Sequence, residues 1–95
     1  MPDFFVNQTI LRLRLNTRFN LTGATNPRIL YIKPDGVTEG FFPATIQDGT
    51  FLVYNISNGD IDVSGKWTFQ AYIETVEGTG YGVKTTKYFD TPITP

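Results

Sequence analysis

Apolar and polar residues alternate with a period of two along most of this chain. The fullest case is 65–74, where Trp67, Phe69, Ala71 and Ile73 share one face and Thr68, Gln70, Tyr72 and Glu74 the other. That is the pattern of a half-buried strand. Residues 9–16 alternate as strictly, with Leu11, Leu13 and Leu15 against Arg12, Arg14 and Asn16, which predicts one buried and one wet face. The run Ile29-Leu30-Tyr31-Ile32 is apolar throughout and predicts an interior strand covered on both faces. Residues 37–47 carry Phe41, Phe42, Ala44 and Ile46 around Pro43; a proline cannot donate to a ladder, so an edge strand or a bulge is expected. In 50–56, Phe51, Val53 and Asn55 oppose Leu52, Tyr54 and Ile56. In 81–90, Tyr81, Val83, Thr85, Lys87 and Phe89 oppose Lys84, Thr86 and Tyr88. Near the start, Phe4-Phe5-Val6 reads as a short edge strand or as a contact with a partner.

The breaks between these runs have turn chemistry. Lys33-Pro34-Asp35-Gly36 and Asp48-Gly49 are turns, and Gly78, Gly80 and Gly82 mark a hairpin tip. Thr17–Pro27 reads as a loop, with Phe19 or Leu21 within it plugging the edge of the core. Asp60 or Asp62 is expected to cap a single helical turn. About seven strands with turns every 8–12 residues or so, and no helical period, predict one antiparallel β-sandwich domain over residues 1–95.

Composition narrows the chemistry. There is no cysteine and no histidine, so disulfides, thiolate zinc sites, and the commonest general base and metal ligand are excluded. No catalytic residue, cofactor or metal site is expected. The acidic cluster Asn58-Gly59-Asp60-Ile61-Asp62 leaves calcium as an alternative. Gly78-Thr79-Gly80-Tyr81-Gly82 lacks the ending of a phosphate loop. No run approaches the ~20 apolar residues of a membrane span, and no secretion signal is visible. Net charge is −1, so no nucleic-acid partner is expected. Residues 1–33 hold five cations against one acid and residues 34–95 three against eight. That polarity suits head-to-tail stacking of copies, unless the halves interleave and cancel.

Two stretches resemble known patterns. Asp62-Val63-Ser64-Gly65-Lys66-Trp67-Thr68-Phe69 resembles the immunoglobulin-like pattern Asp-Ser-Gly-x-Tyr-x-Cys, with Trp67 near the corner tyrosine, Phe69 at the cysteine and Val63 inserted. More widely, Asn20–Thr25, Lys33–Gly36, Gly49–Phe51 and Gly59–Trp67 are similar to the small immunoglobulin-like proteins of tailed bacteriophages, in particular the N-terminal domain of the baseplate upper protein family. The resemblance implies an immunoglobulin-like sandwich and a non-enzymatic structural subunit of a virion, in the tail, baseplate or neck, assembled in the host cytoplasm. It implies other virion proteins as partners, a homo-oligomer or multi-copy assembly, and no membrane. The candidate partner-binding residues are Phe4, Phe5, Val6, Arg12, Arg14 and Ile93. The alternatives are a capsid decoration protein and a carbohydrate-binding or host-attachment module, the latter using exposed aromatics such as Tyr54, Tyr72 and Tyr81.

Overall fold

The computed structural model describes the backbone of Phe4–Phe5, and residues 12–57 and 59–91. Nine strands form among them: β1 (Phe4–Phe5), β2 (Arg12–Asn16), β3 (Thr25–Ile32), β4 (Glu39–Pro43), β5 (Thr45–Gln47), β6 (Phe51–Asn55), β7 (Gly65–Thr75), β8 (Gly78–Tyr81) and β9 (Thr85–Asp90). The larger sheet runs β1-β9-β7-β3-β4, with β8 also on β7; the smaller runs β2-β6-β5. β2, β6 and β5 take the places of strands B, E and D, and β9, β7 and β3 those of G, F and C, of an immunoglobulin-like sandwich. Every pairing is antiparallel except β1 with β9, where Phe4 and Phe5 run parallel beside Phe89 and Asp90.

The core lies where the two inner faces meet. Trp67, Phe69 and Ala71 of β7 are buried as their alternation requires, with Ile73 packed partly against them. Ile29, Leu52, Phe89, Leu21 and Ile61 are also fully buried. Trp67 meets Tyr31 at 5.4 Å, and Phe69 and Phe89 at 6.2 Å each, between ring centroids. Those distances are inside the range where aromatic rings attract beyond simple burial. Leu21, not Phe19, plugs the core; Phe19 stays exposed.

The corner before β7 is closed by Trp67 itself. Its indole Nε1 donates to the Val63 carbonyl at 3.0 Å. In immunoglobulin-like domains a tyrosine two residues before the cysteine position bonds back to backbone in this way. The inserted Val63 therefore supplies the acceptor, and Asp62 is left to pair with Lys33 at 2.9 Å. Gly65, at φ +123°, is needed here: a Cβ would meet Pro34 at 2.7 Å.

Four expectations are corrected. The loop expected over 17–27 ends early, because β3 begins at Thr25. Its register slips between Thr25 and Arg28, where Asn26 adopts φ +50°, so a bulge carries the polar residues into the strand. The single strand expected over 37–47 is two strands in different sheets. β4 is an edge strand of the large sheet, as Pro43 requires, and the chain crosses at Ala44 to β5. The strand expected over 81–90 is also two. Tyr81 pairs with Tyr72 and Thr85 with Phe69, so four steps on one side span three on β7. The extra residue reverses the alternation and turns Tyr81 outward while Thr85 and Phe89 turn in. Finally, no helical turn forms at Asp60. Its carboxylate instead accepts from the Ser57 amide at 2.7 Å and the Tyr54 hydroxyl at 2.6 Å, closing a plain turn.

Candidate functional site

The predicted partner-binding residues do not gather into one place. Phe4 and Phe5 are in β1 along the edge of the large sheet. Val6 and Ile93 lie outside the described residues. Arg12 and Arg14 are on the outer face of the small sheet, as their alternation with Leu13 predicts. Both are tied to neighbours. Arg12 Nε donates to Asn55 Oδ1 at 3.1 Å. Arg14 Nε donates to Gln47 at 3.0 Å, its Nη2 is 3.4 Å from Asp48, and its guanidinium lies 3.7 Å from the centre of the Phe51 ring. The basic stripe is thus a cross-strand lattice of exposed polar contacts, each of modest strength.

A stronger candidate surface is the outer face of the large sheet. Register places Phe41 beside Leu30 and Gln70, Glu39 beside Ile32 and Thr68, and Pro43 beside Arg28, Tyr72 and Tyr81. Ladder register puts all of these on the face opposite buried Ile29, Phe42, Phe69 and Ala71, so all point away from the core. Phe41 is 50% exposed, Tyr81 57% and Tyr88 52%, and Leu30 and Ile32 are half-buried. A groove of about 350 Å³ crosses this face, floored by Leu30, Ile32 and Phe41 and bounded by Glu39 on one side and Lys84 on the other. The apolar run of β3 signalled this surface. The same run predicts a strand covered on both faces, but no second layer of described residues covers Leu30 and Ile32.

One row of this face is chemically organised. The Arg28 guanidinium lies 4.5 Å from the Phe41 ring centre and 5.6 Å from that of Tyr72. Tyr72 and Tyr81 meet edge to face at 5.5 Å. Glu74 closes the row: Asn26 Nδ2 donates to it at 3.0 Å and the Tyr72 hydroxyl at 2.7 Å. These two bonds lower the Glu74 carboxyl below its ordinary value. The same bond from its own hydroxyl raises Tyr72, because losing that proton would place a phenolate against a carboxylate.

The sugar-stacking alternative needed Tyr54, Tyr72 and Tyr81 together. Tyr72 and Tyr81 are together. Tyr54 is elsewhere, stacked on Phe42 at 4.7 Å and bonded to Asp60, which raises its hydroxyl above the usual range. The calcium alternative fares similarly. Asp60 faces Tyr54 and Ser57, Asp62 faces Lys33, and Asn58 lies outside the described residues. Among the described residues no three or more acidic groups converge as a metal site would need. Comparison with protein-family models, with curated proteins and with solved structures finds no match to this chain.

Proposed function

We propose that this protein is a non-enzymatic structural subunit of a tailed-bacteriophage virion, in the tail, baseplate or neck, and that it works by protein–protein assembly. The observation that carries the assembly reading is the outward apolar face of the large sheet. Leu30, Ile32, Phe41, Tyr72 and Tyr81 form a band across adjacent strands where solvent-facing sheets ordinarily alternate to polar. Contiguous apolar patches rimmed by polar residues mark interaction surfaces. β4, an edge strand among the described residues, and the β1 segment beside β9 add backbone contacts. The virion itself is suggested by the resemblance of Asn20–Thr25, Lys33–Gly36, Gly49–Phe51 and Gly59–Trp67. Mass spectrometry and imaging of purified particles test it: the chain should be present at a fixed stoichiometry with the large-sheet face covered. Particles lacking the chain would rule the proposal out.

The Tyr72–Tyr81 pair favours a second reading, a carbohydrate-binding or host-attachment module. Rings at 70° to each other give one sugar a single stacking face, not a continuous floor. Titration with host cell-wall polysaccharide, followed by tyrosine fluorescence, should show saturable quenching that Tyr81→Ala abolishes if this reading holds.

A further inference from the structure

We propose that the outer face of the large sheet is covered by a second copy of this chain, packed face to face about a two-fold axis parallel to the strands and passing between β3 and β7. The inference rests on the assembly reading of that face and names its occupant. The first support is size. The axis overlaps β4, β3, β7 and the β8–β9 side, whose strands at ~4.8 Å spacing and ~3.4 Å per residue make a face of about 550 Å² in projection. Counted on both partners, that is near the ~1,200 Å² at which weak interfaces pass into standard ones.

The second support is self-complementarity. An isologous interface requires each feature to meet its complement on the same surface. The axis exchanges β3 with β7 and β4 with the β8–β9 side. Glu39, on the β4 side of the groove, is then carried toward Lys84 of the second copy, on the far side. Arg28, on β3, is carried over Tyr72 of the second copy with Glu74 next to it. Each chain already shows that a guanidinium sits on this ring, at 5.6 Å. Pro43, in the same row as Tyr81, is carried over that exposed ring, an apolar contact for both. One axis thus adds an ion pair and an apolar contact, each made twice, and lets Arg28 exchange its own Tyr72 for that of the second copy.

Sedimentation equilibrium on the purified chain tests this. A dimer is expected, dissociating in the micromolar range typical of modest interfaces. Phe41→Lys should weaken it at least tenfold without loss of the melting transition. Glu39→Lys and Lys84→Glu should each weaken it by about tenfold, and the double exchange should restore it, because the charges then pair in reverse. A monomer at about 100 μM or above would overturn the proposal, as would a dimer indifferent to Phe41→Lys. Single exchanges that dissociate the dimer without recovery in the double variant would overturn the axis. Particle composition is a separate measurement: a monomeric chain still found in virions would remove this inference and leave the structural role standing.

Discussion

At the residue scale, Trp67 does two things at once. Its ring fills the centre of the core and its Nε1 ties the corner before β7 to Val63. Trp67→Ala should cost about 3–5 kcal/mol in denaturant unfolding. Trp67→Phe should cost less but leave the Val63 carbonyl without its donor, a penalty of about 1–3 kcal/mol. A loss well under 1 kcal/mol for the alanine variant would mean the centre of the core lies elsewhere. Asp35 is the other residue with a sharp consequence. Its carboxylate accepts from the Thr38 hydroxyl at 2.6 Å and from the Thr38 and Val37 amides at 2.8 Å each. These bonds, the hydroxyl first, lower its pKa to about 2. The folded value is below the unfolded one, so the contribution of Asp35 is complete above the ordinary carboxyl range and is lost as pH falls through about 2. Carboxyl shifts followed by NMR should show this titration, with the Val37 and Thr38 amides moving in step. Asp35→Asn should abolish that pH dependence.

At the element scale, the β3–β4 pairing depends on one glycine. Gly40 is opposite Tyr31, and a Cβ there would run into the tyrosine's phenol. The ring has little room to yield, held between Phe42 at 4.8 Å and Trp67 at 5.4 Å. Gly40→Ala should therefore destabilise the fold by about 1–3 kcal/mol. The penalty should shrink in a Tyr31→Leu background, and a double-mutant cycle by thermal unfolding measures the coupling. Most strands were legible in the sequence, because alternation at Leu13, Trp67, Phe69 and Ala71 reports a face directly. The exceptions have local causes. The β4–β5 crossing at Ala44 and the extra residue between Tyr81 and Thr85 leave the apolar pattern nearly unbroken while changing the sheet or the face.

At the scale of the whole molecule, the charge asymmetry of the chain folds in on itself. Arg14 with Asp48 and Lys33 with Asp62 both join the basic first third to the acidic remainder. The halves interleave, which removes the charge polarity as a reason for head-to-tail stacking. Arg14→Ala should change stability by less than about 1 kcal/mol, since the pair with Asp48 is exposed. If Arg12 and Arg14 nonetheless meet a partner, Arg12→Glu with Arg14→Glu should lower incorporation into particles while the melting temperature stays near that of the unaltered chain. Comparing particle composition with thermal unfolding separates the two effects.

The sequence alone determined the class of the fold, the turns at Pro34–Gly36 and Asp48–Gly49, the inward face of β7, and the absence of histidine and cysteine chemistry. Those are local properties: periodicity, φ preference and side-chain inventory act over a few residues. The tertiary structure decided which sheet each strand joined, and that Val63 would complete the corner. It also decided that Leu30, Ile32, Phe41, Tyr72 and Tyr81 would share one open surface. An apolar residue carries the same signal whether it faces a core or a partner, and only the packing of distant strands tells the two apart.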